Sequence, residues 1–232
     1  MLERDFPEIR ALPLFAGIAA DSFEALMRGA YLQTFPPQID LIREGDPSDF
    51  LHVVTEGAVE MFASWSGRDT VIQTVRPVST FILAATIRDA PYLMSARTIS
   101  RSRLVLIPSQ DVRDVFEADP AFARAVVMDL AQCYRSVVKH TKDLKLRNSI
   151  ERLANYLLRQ RKAAGDAAAF QLPVEKRRLA AFLGMTPENL SRAFRSLEAY
   201  GVVTDGASVR INDPSDLVGF ARPTPLIDDG DL

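Results

Sequence analysis

The chain has one cysteine, two histidines and one tryptophan among its 232 residues. A single cysteine, Cys133, excludes an internal disulfide and any zinc or iron–sulfur site built from several cysteines of one chain. With His52, Cys133 and His140 scattered, the sequence holds no Ser-His-Asp, Cys-His or metal constellation, and it has no glycine-rich phosphate loop. The expectation is a protein that is not an enzyme and carries no metal or cofactor. Long hydrophobic runs are also missing: none approaches the ~18 residues of a membrane span. The start, Met1 to Glu8, lacks the basic-then-apolar layout of a secretory signal. These absences favour a cytoplasmic protein without a membrane partner.

Hydrophobic residues make up 47% and charged residues 25%, an ordinary globular balance in a length that suits one or two domains. The net charge of −2 is unevenly spread. Residues 145–222 hold 13 Lys+Arg against 8 Asp+Glu, an excess of +5 that leaves −7 elsewhere. Phosphate attraction needs local positive charge, not a basic average.

That positive region contains the most telling pattern. A short helix is expected from Val174 to Leu183, a break at Gly184, and a second helix opened by Thr186 and Pro187. Threonine at the cap takes an orphan amide, and proline at the first helical position has none to lose. Leu190, Ala193, Phe194 and Leu197 share one face, leaving Glu188, Asn189, Ser191, Arg192 and Arg195 on the others. Val202-Val203 and Ser208–Ile211 flank an Asp205-Gly206 turn, a β-hairpin signal. Two helices across a tight glycine turn, followed by a hairpin, read as a winged helix-turn-helix that places a helix in the DNA major groove.

Upstream, residues 6–30 read as helical. Eight short β-rich runs follow: Leu32–Phe35, Asp40–Arg43, Phe50–Val54, Ala58–Ala63, Thr70–Val75, Phe81–Ala85, Ser95–Ser100 and Arg103–Ile107, separated by proline- and glycine-bearing turns. That rhythm predicts a sandwich or jelly roll. Ser109 caps a short helix and Asp119-Pro120 opens a long one. In the long helix Ala123, Val127, Leu130, Tyr134, Val137, Thr141 and Leu144 recur at steps of four and three. This heptad seam suits pairing with an identical helix. A second stripe, Val126, Cys133 and Val138, is left to pack on the chain's own barrel, with Cys133 an inert buried thiol. The expected fold is α+β: a β-barrel sensor domain over 1–118, a dimerisation helix and hinge over 119–147, a winged helix-turn-helix over 148–222 and a flexible tail over 223–232. The stretch Ala163–Ala169 is expected to be a loop.

Barrel, long helix and winged helix in this order resemble the cyclic-AMP receptor and fumarate–nitrate reductase regulator (Crp/Fnr) family of bacterial transcription factors. The resemblance covers about residues 10–220. It rests on Asp40-Leu-Ile-Arg-Glu-Gly45, Leu51-His-Val-Val-Thr-Glu-Gly57, Asp119-Pro120 and Thr186–Arg192. It implies a homodimer on a pseudo-palindromic operator, with RNA polymerase a further partner. Glu188-Asn-Leu-Ser-Arg192 is similar to the reading motif of the fumarate–nitrate branch. It implies a TTGAT-like half-site, with Arg192 donating to guanine, Glu188 accepting from cytosine and Ser191 meeting the thymine side. Thr186, Asn189 and Arg195 complete the expected DNA-contacting set; Lys176, Arg177 and Arg178 are phosphate candidates, with a solvated helix face the alternative for each.

The sensor segment departs from the family. Leu83 and Ala84 stand where the cyclic-nucleotide cassette has Gly and Glu, and Tyr92 and Leu93 where it has Arg and Ser. The hydroxyl pair that meets adenine falls on Val137 and Val138. A cyclic phosphate wants a close backbone and a guanidinium, so cyclic AMP is not the expected effector. Phe81, Ile82, Leu83, Ala85, Ile87, Tyr92, Leu93, Met94, Val137 and Val138 form an apolar lining instead. The expectation is a small apolar or aromatic effector, with Arg88 or Arg97 pairing a carboxylate and Thr86 or Tyr92 offering a hydroxyl. The alternatives are a filled core in an effector-independent regulator, and haem-based sensing of nitric oxide or redox gases through His52 or His140.

Overall fold

The computed structural model describes residues 6–229 and divides, within one long helix, into two compact units, Met1–Cys133 and Tyr134–Leu232. The first five residues of the predicted sensor domain and the last three of the predicted tail lie outside the described residues.

The first unit opens with three short helices, α1 (Phe6–Arg10), α2 (Pro13–Ala16) and α3 (Ala20–Arg28), where the sequence suggested one helical stretch. Proline has no amide to donate and its ring clashes inside a helix, so Pro13 starts a new one. The strands are β1 (Tyr31–Phe35), β2 (Asp40–Ile42), β3 (Phe50–Glu56), β4 (Val59–Trp65), β5 (Arg68–Val75) and β6 (Ser79–Phe81). After helix α4 (Leu83–Arg88) come β7 (Ser95–Thr98) and β8 (Ser102–Pro108). They form two four-stranded antiparallel sheets, ordered β1-β8-β3-β6 and β2-β7-β4-β5.

Strand β3 is buried without a break from Leu51 to Thr55, because its sheet is covered on both faces. Leu51 and Val53 pack into a cluster with the helices, including Phe15, Leu26 and Val112. Val54 faces the other way, into the sandwich interior with Val59, Met61, Phe81 and Leu104. The expected strand Phe81–Ala85 stops at Phe81. Ile82 turns to φ 72° and the chain continues as α4. Leu83-Ala84-Ala85 lacks β-branched residues and has high helix propensity, so the local preference is helical.

Helix α5 (Ser109–Ala118) precedes α6 (Pro120–Leu146). Asp119 opens α6: its Oδ1 accepts from Ala121 N at 2.8 Å and Phe122 N at 3.3 Å, and its Oδ2 accepts from Ala19 N at 3.0 Å. These bonds, that from the Ala19 amide foremost, hold its carboxyl below the ordinary range. Phe122 and Val126 are buried in the helical cluster, with Phe122 stacked 6.1 Å from Phe15. The N-terminal turns of α6 therefore belong to the sensor unit.

The second unit takes the C-terminal turns of α6, then α7 (Ser149–Ala163), β9 (Ala169–Gln171), α8 (Lys176–Phe182), α9 (Pro187–Leu197), a 3₁₀ turn at Glu198–Tyr200, β10 (Val202–Asp205), β11 (Ser208–Ile211), α10 (Pro214–Ala221) and α11 (Pro225–Asp228). Only Arg147 and Asn148 separate α6 from α7. Asn148 forms a capping box with Glu151: Asn148 Oδ1 accepts from Ile150 N and Glu151 N at 3.0 Å each, and Glu151 Oε2 accepts from Asn148 N at 2.8 Å. The hairpin β10–β11 gains a third antiparallel strand in β9. Leu153, Leu157, Leu179, Leu183, Leu190, Leu197 and Val209 anchor the core.

The segment expected to be a flexible tail is not loose through Asp229. It forms α11 and lies against the α6–α7 joint and α7 through Asp228, whose carboxylate takes hydrogen bonds from Arg147 and Arg159. Its acidic, proline-containing composition hid a specific set of buried ion pairs.

Candidate DNA-reading helix and sensor pocket

The helical pair α8–α9 turns at Gly184, whose φ is +63°. A Cβ there would sit 3.0 Å from Leu144 Cδ2, so both conformation and space favour glycine. Thr186 Oγ1 accepts from Asn189 N at 3.2 Å, and Pro187 occupies the first turn of α9. Leu190, Ala193, Phe194 and Leu197 are buried, which fixes the roll of the helix about its axis. Thr186, Glu188, Asn189, Ser191, Arg192 and Arg195 are all exposed.

The charged pair on this face is electrostatically matched. Glu188 lies below the ordinary carboxylate range, chiefly through its own backbone amide and the Thr186 hydroxyl, with Arg192 one turn on adding attraction. It is therefore ionised and an acceptor only. Ser191 Oγ donates back to Pro187 O at 3.0 Å, so its hydroxyl meets any outside group with its lone pairs unless it rotates. The three basic residues at the start of α8 differ from one another. Arg177 is exposed, Arg178 is half-buried, and the Lys176 ammonium sits 5.2 Å above the Phe194 ring.

In the sensor unit the structure divides the expected effector residues. Phe81 and Tyr92 are buried in the sandwich core, with Ile82, Ala85 and Met94 packed against them. Leu83 belongs instead to the cluster beneath the helices, on the other face of the sheet. Leu93 is 83% exposed and so does not line an interior site. Arg88 is exposed on the last turn of α4. Val137 and Val138 are exposed residues of the second unit.

The polar groups expected to meet an effector have protein partners. Arg97 donates through Nε and Nη2 to Glu60 Oε1 at 3.1 and 2.8 Å and stands 3.6 Å from Asp69. Its guanidinium also lies over Phe62, 4.3 Å from the ring centre. Glu60 is only 1% exposed, so Arg97 is the counter-charge of a buried carboxylate. The Thr86 hydroxyl donates to Ile82 O at 3.2 Å and lies 3.4 Å from Ser48 Oγ. Burial pushes the Tyr92 phenol up, with its hydrogen bond to Ser48 pulling the other way.

His52, named in the sequence only as a haem-ligand alternative, pairs across the sheet with Phe81, ring centres 4.9 Å apart. Its Nδ1–H donates to Phe50 O at 3.1 Å, and burial lowers its pKa to about 4, so the ring is neutral. Sequence reasoning missed Glu60; its signal was a lone acid inside the apolar strand segment Val59–Phe62. His140 is exposed, 5.6 Å from Phe182.

Along α6 the seam residues Val127, Tyr134 and Val137 are 59%, 71% and 62% exposed, while Leu130 packs partly on the sensor core. Of the second stripe only Val126 is buried. Cys133 and Val138 are exposed, because the sensor core ends near Leu130 and the helix runs past it. Cys133 is thus not a buried thiol, though partial burial and Asp129 push its pKa up.

A jelly-roll sandwich, a long helix and a capped helix-turn-helix with a three-stranded wing define a two-unit DNA-binding transcription regulator. Residues 32–119 match the model of the cyclic nucleotide-binding domain, and 151–220 that of the Crp-like helix-turn-helix domain. The chain belongs to the Crp/Fnr family of transcription regulators. It is 24% identical over 215 residues to the CRP-like cAMP-activated global transcriptional regulator of Mycobacterium tuberculosis, covering 90% of this chain and 96% of that one. With the transcriptional activator protein anr of Pseudomonas aeruginosa it shares 23% over 186 residues, covering 78% and 76%. The structure of FixK2 from Bradyrhizobium japonicum superposes with a TM-score of 0.70 at 21% identity, covering 84% of this chain and 98% of that one, a likeness of fold. A match to the rice potassium channel KAT1, 24% identical over 145 residues, takes in 62% of this chain and 19% of the channel. No helix among the described residues is long and apolar enough to cross a membrane.

Proposed function

We propose that the chain works as a homodimer that reads a TTGAT-like palindrome through α9, joined by α6 and acting on transcription together with RNA polymerase. The observation that carries this reading is the division of α9 into a buried apolar face and an exposed face with an ionised Glu188 one turn from Arg192. Arg192 donates to O6 and N7 of a guanine, Glu188 accepts from cytosine N4, and Ser191 meets the thymine side. Arg177 and Lys176 contact phosphates, and the exposed Val127, Tyr134 and Val137 form the seam between the two α6 helices.

The test is Arg192→Ala. It loses about 1–3 kcal/mol of discrimination between operator and scrambled DNA while retaining salt-sensitive binding. Equal affinity of the wild type for both DNAs defeats the reading.

For the sensor unit we infer a small apolar or aromatic effector admitted among Phe81, Tyr92 and Met94. A second reading, regulation without an effector, draws support from the packing of those side chains into one core and from the engagement of Arg97 with Glu60 and Asp69. A melting temperature that rises with aromatic acids and not with cyclic AMP supports the first. A melting temperature indifferent to both classes supports the second.

A further inference from the structure

The joint between α6 and α7 is two residues long, so its angle depends on few backbone torsions. Crossing it is the segment that leaves α10 through Arg222, a residue at φ 46° that redirects the chain back toward α7. Asp228, on α11, receives a two-pronged guanidinium: Arg147 Nη1 donates to Oδ1 at 2.7 Å and Nη2 to Oδ2 at 2.6 Å. Arg159 of α7 donates to the same Oδ1 at 2.7 Å, and Arg147 also donates to Asp143 of α6 at 2.9 Å. The carboxylate orders its own helix start by accepting from Thr224 N at 2.8 Å. On the α6 side, Lys139 donates to Asp229 O and Lys142 to Leu226 O.

We propose that residues 223–229 are a strap that fixes the α6–α7 joint, with the Asp228 carboxylate as its anchor. The Arg147, Asp143 and Asp228 side chains are only 8–10% exposed, so the cluster is desolvated and sensitive to loss of one member. Two guanidiniums face two carboxylates in it. Without Asp228 both would share Asp143 alone, and the strap would lose its carboxylate hold on the joint and on α7 together, keeping the two lysine contacts to α6. The strap sets the posture of α7, and with α7 that of the helix-turn-helix packed on it, relative to the last turns of α6. This inference does not depend on the DNA sequence read by α9 or on any effector.

The experiment is amide hydrogen exchange on the full chain, comparing the wild type with Asp228→Asn and with a variant lacking residues 223–232. In both variants, exchange at residues 143–150 rises about tenfold or more, while amides of β10, β11 and α9 stay within about twofold of wild type. Unchanged exchange at 143–150 in Asp228→Asn overturns the proposal, as does a uniform rise throughout the second unit, which marks a contribution to general stability. Should the shortened chain fail to fold, Asp228→Asn decides alone, since it keeps shape and length while removing the charge and turning one of the two acceptor oxygens into a donor. Asp228→Glu, which retains the charge, sits nearer to wild type than Asp228→Asn.

Discussion

The two units put their polar residues to opposite uses. In the second, the side chains expected to meet a partner stand in solvent on a helix whose other face is buried. In the first, Phe81, Tyr92 and Met94, expected to meet a ligand, are drawn into the core, and Arg97, one of two cations expected to pair a carboxylate, already holds one in Glu60. A macromolecular groove is read by a projecting surface, so its readers stand exposed on the protein before DNA arrives. A small-molecule pocket shares its chemistry with a hydrophobic core, and without a ligand the two differ only in how tightly the lining closes.

The largest expected effect breaks the sensor unit alone. Gly57 joins β3 to β4 with φ +85°, and a Cβ there would sit 2.4 Å from Arg101 O and 2.7 Å from Ser102 Cα. Both contacts are backbone, so nothing flexible yields. Gly57→Ala should cost roughly 2–5 kcal/mol, from left-handed strain plus overpacking. Calorimetry should show the sensor transition lowered and the DNA-binding unit unmoved. A single transition shifted as a whole would show that the two units do not melt independently.

Acid should sharpen the same contrast. His52 titrates near 4 in the folded chain, against 6.5 for the free side chain, because burial disfavours the imidazolium. A depressed pKa means that the unfolded chain binds more protons between those values. The stability is thus whole above pH 6.5 and lost as pH falls toward 4, by about 3 kcal/mol. Since His52 faces Phe81, the loss falls on the sensor unit. His52→Phe should flatten the slope of sensor stability between pH 7 and pH 5. An unchanged slope in that variant assigns the effect to other groups.

These contrasts explain what could be read from the chain. Helix α9 was legible because Thr186-Pro187, four apolar residues on one face and a glycine turn are each local signals that agree. The strand positions were legible from turn chemistry, and the end of β6 was not: Phe81-Ile82 continues a β pattern that Leu83-Ala84-Ala85 cancels. Strand β9 escaped because Ala169-Phe170-Gln171 is too short to show alternation and pairs with β11 far along the chain. The pocket was ambiguous in principle, since Phe81, Tyr92 and Met94 look the same filling a core or lining a cavity. Asp228 and Arg147 lie 81 residues apart, beyond any local pattern, and an acidic end with two prolines reads as loose until its partners are seen.

The smallest expected effect belongs to the second unit and tests whether its reading face depends on the helix start or only on the buried stripe. Thr186 is both the cap of α9 and a candidate DNA contact, so Thr186→Ala alone mixes two roles. Capping is worth about 1 kcal/mol, and Thr186→Ser keeps the acceptor for Asn189 N while removing only a methyl group. Urea unfolding should therefore rank the second unit as wild type, then Thr186→Ser within a few tenths, then Thr186→Ala lower by about 1 kcal/mol. The sensor unit should stay constant throughout. If Thr186→Ala weakens operator binding more than its stability loss accounts for, and Thr186→Ser does not, the hydroxyl contacts DNA as well as the helix. If both variants bind as wild type, the four buried residues of α9 alone hold its exposed face in place, because the melting curve records the cap and the groove does not.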